Sequence, residues 1–208
     1  MLQRLNWGFL SGLCLLAAAL AIGGSTEAIA KNGFEIRLGA FSPQDSQTET
    51  TFGVDSGPIP QIGYRWQLRN HGLFAGFGYA KWEEDDPFGG GADLKWFPVD
   101  VHYRYAFWHD RPVSLYVGGG ITANLYDAFV DNPSGPVIFV DETGFALGVG
   151  PIVGVEFLAN HKVRLLLEAQ YSKQLLDSGD LDTVGAYALA VDMSAFRATF
   201  GLAFVFGK

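Results

Sequence analysis

The sequence from residue 33 onwards consists of short segments in which every second residue is apolar. In the clearest segment, near the C-terminus, an apolar series alternates with a small or polar series. The apolar series is Phe196, Ala198, Phe200, Leu202, Phe204 and Phe206, and the other is Arg197, Thr199, Gly201, Ala203, Val205 and Gly207. A two-residue period is that of a β-strand, whose side chains point alternately to opposite faces of a sheet. The pattern therefore predicts an all-β fold with two chemically different faces.

Eight strands are predicted, and the connections between them alternate between long and short. The strands are 33–42, 59–69, 72–83, 94–107, 112–126, 143–158, 162–174 and 194–207. The long connections are 43–58, 84–93, 127–142 and 175–193, and the short ones, rich in Asn, Asp, Gly and Pro, are 69–72, 108–112 and 159–162. An even strand number and this alternation are typical of membrane barrels. We predict an eight-stranded antiparallel up-and-down transmembrane β-barrel with four long outer loops and three short periplasmic turns.

The first thirty residues predict an export signal. Arg4 precedes an apolar run from about Phe9 to Ile22, and the small residues in Ala28-Ile29-Ala30 fit a cleavage site. The run is shorter than the roughly 20 apolar residues that a membrane-spanning helix needs. We therefore predict that residues 1–30 are a signal peptide that is removed and that residues 31–208 form the barrel domain.

Composition excludes several kinds of site from the mature chain. The only cysteine is Cys14, inside the predicted signal, so the barrel domain has no thiol for a disulfide, a metal site or a nucleophile. The net charge of -8 argues against a nucleic-acid partner. No cofactor site is predicted.

Strand parity places ten ionisable side chains inside the barrel: Glu35, Arg37, Arg65, Asp100, His102, Arg104, Glu156, Arg164, Glu168 and Arg197. Charges away from bulk water persist only when they are paired and hydrogen-bonded. We therefore predict an ion-pair network that closes the lumen. The alternative is a gate, in which the pairs exchange partners to open a narrow path. Inward glycines would leave room in the narrow barrel for larger neighbours.

The whole of the mature chain resembles the small outer-membrane barrels of the OmpA-transmembrane, OmpX and OmpW type. The resemblance is carried by the signal ending in Ala28-Ile29-Ala30, the eight alternating segments with long outer loops, and the closing pattern Phe200, Leu202, Phe204 and Phe206. It implies a monomer in the outer membrane of a Gram-negative bacterium, in contact with membrane lipid and lipopolysaccharide. The expected function is a structural or adhesive surface role, and the alternatives are a narrow channel for small apolar molecules or ions and a lipid A- or phospholipid-modifying enzyme.

An enzyme of the last kind would need a base near its nucleophile. His102, two residues from Asp100, is the only histidine outside the predicted turns, and the candidate serines are Ser114, Ser172 and Ser178. A lone histidine within a polar network is the better interpretation. The sequence therefore predicts no catalytic residues and a protein that is not an enzyme.

The outer loops carry many carboxylates and no Lys or Arg. The acidic run 83–86 is a candidate calcium site, but it lacks the spaced oxygens and the turn glycine of an EF-hand loop, so a solvated acidic loop is favoured. Divalent cations are candidate partners there.

Two apolar stretches, 137–140 and 186–191, are strand extensions or walls of a pocket for a small hydrophobic ligand. Pro98 and Pro151 fall within predicted strands, where each is expected to cause a bulge or local widening.

Overall fold

The computed structural model describes residues 31–44, 57–86, 90–131, 139–177 and 193–206. These residues form nine strands: β1 (Lys31–Pro43), β2 (Gly57–Leu68), β3 (His71–Gly78), β4 (Ala80–Asp86), β5 (Gly90–Ala106), β6 (Val113–Asp131), β7 (Phe139–Phe157), β8 (Val163–Asp177) and β9 (Ala195–Phe206). Within these ranges the chain contains no helix, and so none that is long and apolar enough to cross a membrane. The predicted signal peptide and most of the predicted outer loops lie outside the described residues.

The nine strands close into a barrel of eight. Every ladder is antiparallel, in the order β3-β2-β1-β9-β8-β7-β6-β5-β4, and a further pairing of β3 with β5 closes the sheet. Strands β3 and β4 both pair with β5, and the two ladders share one register: Phe77 lies opposite Val99, and Ala80 lies opposite Trp96. They therefore act as a single barrel strand interrupted at Tyr79. The predicted eight-stranded antiparallel barrel is confirmed.

Three short connections lie at one end of the barrel, which we call the turn end; the opposite end is the loop end. The connections are Arg69-Asn70, 107–112 and 158–162. The backbone is in the left-handed region at Arg69 (φ 53°) and at Leu158 (φ 57°), the conformation that lets a strand reverse within a few residues. Asn70 also donates from Nδ2 to the Ala106 carbonyl over 2.7 Å, which fixes the first turn against β5.

Side chains alternate between a buried interior and an exposed apolar exterior. On the exterior, Leu38, Phe200 and Leu167 remain 57 %, 51 % and 47 % exposed. An exposed apolar surface of this extent is abnormal for a protein in water but is required of a barrel wall that faces lipid. The strand pattern thus produces a lipid-facing wall and a separate lumen.

Strands at the loop end are longer than the sequence predicted. The β4–β5 ladder continues to Asp86 opposite Gly90, and the β6–β7 ladder to Asp131 opposite Phe139. Predicted loop 84–93 is therefore largely paired strand, and so are both ends of predicted loop 127–142. The reason is that acidic residues stand at consecutive positions in the sequence there, as in 83–86, which hides the apolar alternation. Within the first apolar stretch Phe139 and Val140 extend β7, whereas 137–138 and the second stretch lie outside the described residues.

Pro98 and Pro151 each interrupt the ladder on one side. Pro98 pairs with Asn124 of β6, but on its other side the ladder breaks at Tyr79. Pro151 pairs with Gly119 of β6, but the β7–β8 ladder omits it, and the register shifts between Leu147 and Gly148. A proline lacks the N–H that would bond to one of its two neighbouring strands. It therefore interrupts the ladder on that edge and keeps its partners on the other.

Candidate functional site: the barrel lumen

The lumen contains all ten side chains assigned to it from strand parity. Each is buried, with 6 % exposure or less. They come from β1, β2, β5, β7, β8 and β9, and β6 adds the buried Tyr116, Thr122 and Asn124. We call the ten residues the lumen network; they form three tiers along the barrel axis.

The tier nearest the turn end is built on Glu156. Its Oε2 accepts a hydrogen bond from Arg65 Nη2 over 3.0 Å, and its Oε1 accepts one from Arg164 Nη1. Gln67 Oε1 accepts from the same two guanidinium groups over 3.2 and 3.1 Å. One carboxylate and one amide thus hold two arginines side by side.

The middle tier links Glu35 and Glu168 through two arginines. Arg37 donates from Nε to Glu35 Oε2 and from Nη1 to Glu168 Oε1, both over 2.8 Å. Arg104 Nη1 donates to Glu35 Oε1 over 3.1 Å, and its Nη2 lies 2.8 Å from Glu168 Oε2. Tyr116 donates its hydroxyl proton to Glu168 over 3.0 Å. Apart from the Arg37–Glu35 bond within β1, these bonds cross the lumen and tie non-adjacent strands together.

The third tier surrounds Asp100. Arg197 donates from Nη1 to Asp100 Oδ2 over 2.8 Å and from Nη2 to Oδ1 over 2.6 Å, a bidentate geometry that fits both oxygens. The Thr122 hydroxyl donates to Oδ1 over 2.6 Å and Gln61 Nε2 to Oδ2 over 2.9 Å. Asp100 therefore has four hydrogen bonds, which compensate its removal from water.

His102 lies between the second and third tiers without a serine partner. Its Nε2 is 3.5 Å from Asp100 Oδ1 and its Nδ1 is 3.8 Å from Glu168 Oε1, and neither nitrogen forms a hydrogen bond within the described chain. The Ser114 and Ser172 hydroxyls are also buried and without a partner among these residues. Ser178 lies outside them. The described residues therefore do not form a Ser-His pair.

Phe74 provides an aromatic surface for the middle tier and occupies the room that the inward glycines were expected to leave for larger neighbours. The Arg37 guanidinium carbon lies 3.7 Å from the centre of the Phe74 ring, and that of Arg104 lies 5.0 Å from it. A Cβ atom on Gly76 would lie 2.5 Å from the ring, so the inward glycine makes the room that the ring occupies. Cation–π contact stabilises such desolvated guanidinium groups.

At its loop end the lumen contains an apolar cluster that the sequence analysis did not predict. We call it the apolar cap: Phe41, Ile59, Ala80, Leu94, Trp96, Tyr126, Ala128, Ala146, Met193 and Ala195, with the partly buried Trp82 packed against them. The Phe41 and Trp96 ring centres are 4.4 Å apart, and Trp96 Nε1 donates to Asn124 Oδ1 over 2.9 Å. The signal was present in the sequence, since Leu94 and Trp96 share the inward parity of Asp100.

On the outer wall near the loop end, lysines neutralise part of the acidic run. Lys81 pairs with Glu83 and lies 3.5 Å from Asp93, whereas Lys95 lies 3.8 Å from Asp93 and 3.4 Å from Asp127. Among the described residues no group of three or more histidine, cysteine or carboxylate ligands is arranged to hold a metal ion. The calcium hypothesis for this run stays a prediction.

The barrel wall has a seam between β2 and β4. The β2–β3 ladder ends at Gln61 opposite Gly78, and beyond it no ladder joins the described parts of β2 and β4. Pro60 still accepts a hydrogen bond from Tyr79 N over 3.3 Å but has no N–H to return. Pro58, two residues along, presents its backbone to the same edge and lacks the same donor.

Trp82 covers this seam from the lumen side. A Cβ atom on Gly57 would lie 2.5 Å from Trp82 Nε1, so the indole rests directly against the β2 backbone. The wall there is held by side-chain packing rather than by backbone hydrogen bonds. Opening the wall there would break few backbone hydrogen bonds.

Comparison with known proteins agrees with this architecture. A family model described as "Outer membrane protein beta-barrel domain" matches residues 10–204. OprG of Pseudomonas aeruginosa is similar in structure, with a TM-score of 0.57 and 12 % identity over 86 % of this chain and 98 % of its own. A major outer membrane protein of Thermus thermophilus has a TM-score of 0.52 and 12 % identity over 84 % and 99 % of the two chains. For Neisserial surface protein A the values are 0.51 and 15 % over 88 % and 100 %. No curated protein sequence matches the chain.

Proposed function

Because the chain belongs to the outer membrane protein β-barrel family, we propose that it is a sealed, non-enzymatic barrel with a structural or adhesive role at the surface of a Gram-negative cell. In this proposal the lumen network and the apolar cap prevent conduction, and the loop-end segments make the external contacts. The turn end faces the periplasm, as short turns do in outer-membrane barrels.

The observation that carries the proposal is the succession of three ionic tiers and an apolar cap along one narrow lumen. A continuous path for water or ions would have to separate Arg197 from Asp100, part the Glu35–Glu168 tier and displace Trp96. Separating one buried ion pair costs about 3–5 kcal/mol when a charge is left uncompensated. An eight-stranded lumen is just wide enough for side chains to fill, so the tiers leave little room to rearrange.

The proposed surface role is supported by the charged side chains on the outer wall at the loop end. Strands β4 and β5 continue beyond the aromatic pair Tyr79 and Phe97 and carry the Lys81, Glu83 and Asp93 ion pairs on the outer wall. Alternating charges at the loop end suit contact with lipopolysaccharide and with divalent cations that bridge its phosphates. The barrel acts as a monomer in this proposal, since its lumen is complete within one chain.

The absence of catalysis is supported by the surroundings of His102. Its two ring nitrogens face the carboxylates of Asp100 and Glu168 and are not hydrogen-bonded to a serine of the described chain. A general base must lie within hydrogen-bond reach of the proton it removes.

Planar-bilayer recording of the purified protein tests the sealed barrel. We expect no conductance steps for the wild type. A triple variant, Trp96→Ala with Arg197→Ala and Arg104→Ala, removes a large side chain from the cap, from the third tier and from the middle tier and should introduce conductance, which shows that the recording detects an open lumen. Steady conductance of the wild type at neutral pH would contradict the proposal.

The seam favours a second candidate function, a path for small apolar molecules between the loop end and the lipid. The apolar cap lies on the lumen side of the seam, and Trp82 covers the seam. Trp82→Ala should then accelerate entry of a small aromatic dye into the vesicle membrane, whereas Tyr79→Ala, on the outer wall, should not. Equal entry rates for wild type and Trp82→Ala would eliminate this candidate.

A further inference from the structure

The three connections at the turn end are bonded to one another. Asn70 in the first connection donates from Nδ2 to Ala106 O over 2.7 Å, and Ala106 N donates back to Asn70 O over 2.7 Å. Ala159 N in the third connection donates to Pro112 O, at the end of the second, over 3.0 Å. These hydrogen bonds hold the backbones of all three connections together at one end of the barrel.

This end carries an excess of positive charge. We call residues 69–71, 107–112 and 158–162, together with Lys31 at the start of β1, the basic rim. Its cations are Lys31, Arg69, Arg111 and Lys162, and its carboxylate is that of Asp110. Four minus one leaves a net charge of +3 with the histidines neutral. Within the described chain none of the four cations pairs with a carboxylate.

The charge of the basic rim is opposite in sign to that of the whole chain, which is -8. The long connections at the loop end contain carboxylates and no Lys or Arg. They are too distant to cancel the rim, because the 19 residues of β6 extend over roughly 60 Å from one end to the other. The screening length in about 0.1 M salt is only about 10 Å. The rim therefore attracts anions although the chain is acidic.

Aromatic side chains lie directly beside the basic rim on the outer wall. Tyr103, Tyr105 and Trp108 are 45 %, 37 % and 41 % exposed. His71 Nδ1 lies 2.6 Å from the Tyr103 hydroxyl, and the Arg111 guanidinium carbon lies 5.8 Å from the centre of the Trp108 ring. Aromatic residues of membrane barrels collect at the level of the lipid headgroups. The cations of the rim therefore lie at the depth of the lipid phosphates.

We propose that the basic rim binds the phosphates of anionic phospholipids in the leaflet that faces the periplasm. Unpaired Lys and Arg side chains at headgroup depth attract such phosphates, and a guanidinium can hold one through two parallel N–H bonds. An anionic polymer of the periplasm would meet the same charge, but it would not explain the aromatic residues beside it. The choice of leaflet rests on the proposed orientation. The preference for anionic lipid does not, because a symmetric vesicle presents the same lipid to both ends.

Quenching of Trp108 fluorescence by brominated lipid tests the proposal. The purified protein is folded into phosphatidylcholine vesicles that contain an equal small fraction of phosphatidylglycerol or phosphatidylcholine brominated near the headgroup end of its chains. Trp108→Phe gives the quenching of the other tryptophans, which is subtracted. We expect the anionic lipid to associate about fivefold more strongly, the effect of one cation at an anionic surface.

The preference should shrink in 1 M salt, where the screening length falls to about 3 Å. Equal association of the two lipids, or weaker association of the anionic one as the overall charge of -8 would give, would overturn the proposal. Such a result would leave the sealed barrel intact, because the rim side chains take no part in the lumen network. Conductance of the wild type would likewise leave the lipid preference unaffected.

Matched variants locate the preference. Arg69→Gln with Arg111→Gln removes two exposed cations of the rim and should bring the association ratio close to one. Lys95→Gln with Lys173→Gln removes the same charge from the outer wall near the loop end and should keep the ratio of the wild type. A preference that persists in the first variant, or is lost equally in both, would overturn the assignment to the rim.

Discussion

Replacing Glu168 by Gln tests whether the lumen network stabilises the barrel. Glu168 lies 2.8 Å from both Arg37 Nη1 and Arg104 Nη2 and accepts a hydrogen bond from Tyr116 over 3.0 Å. Glutamine has the same shape and keeps one acceptor for Tyr116, so the substitution removes mainly the charge. Five buried arginines would then face three carboxylates instead of four.

The expected loss of stability is about 3 kcal/mol, the lower end of the roughly 3–5 kcal/mol range for breaking a buried ion pair. The lower end applies because Arg37 and Arg104 both keep Glu35 as a partner. Reversible urea unfolding in lipid vesicles, followed by tryptophan fluorescence, measures the change.

The matched control is Glu83→Gln, which removes the same charge from the Lys81 pair on the outer wall. The Glu83 side chain is 63 % exposed, and exposed ion pairs contribute little to stability, so this variant should unfold like the wild type. If Glu168→Gln and Glu83→Gln were indistinguishable, the lumen network would not stabilise the barrel and the reasoning from buried charge would be refuted.

Three other predictions concern the wall and the N-terminus. Leu167→Arg on the lipid face should cost about 2–4 kcal/mol, whereas Leu176→Arg, nearer the loop end of β8, should cost about 0–1 kcal/mol; equal losses in urea unfolding would contradict the lipid-facing assignment. Gly150→Ala places a Cβ against the backbone of β8 and should cost about 1–3 kcal/mol, whereas Gly119→Ala, with 3.6 Å to the nearest atom, should be tolerated in the same assay. Mass spectrometry of the membrane-purified protein should place Lys31 at the N-terminus, and an intact leader would contradict signal cleavage.

The barrel was predictable from the sequence because its exterior is uniform. A two-residue apolar period with lipid on one side requires only that each outward residue be apolar, as Leu165, Leu167 and Ala169 are in β8. The same parity assigns ten ionisable side chains to the lumen. The strand ends at the loop end were less predictable. Water surrounds both faces of the strands there, so the outward residues need not be apolar and the two-residue apolar period disappears.

Partners within the lumen could not be derived from parity. Parity assigns Arg37 and Glu35 to the same face but does not say that Arg37 reaches across to Glu168, since that depends on strand stagger and barrel radius. The apolar cap was overlooked for a different reason. Trp96 and Phe41 have inward parity, but parity alone does not show that side chains from separate strands pack into one cluster. The seam at Pro58 and Pro60 could be located only from the strand pairing in the structure. A proline in the sequence does not show which neighbouring strand loses a hydrogen-bond donor.

Solvent access to a single thiol inside the lumen tests the closed barrel most directly. Ser172 is 3 % exposed and its hydroxyl has no hydrogen-bond partner in the described chain, so Ser172→Cys is nearly isosteric and breaks no described contact. The native Cys14 lies in the predicted signal, and the wild type supplies the labelling background. Asn160→Cys, in an exposed turn, is the reactive control. With a small methanethiosulfonate reagent on both sides of the membrane, a closed lumen predicts rapid modification at position 160 and none at position 172 until the protein is unfolded; comparable rates at both positions would contradict it.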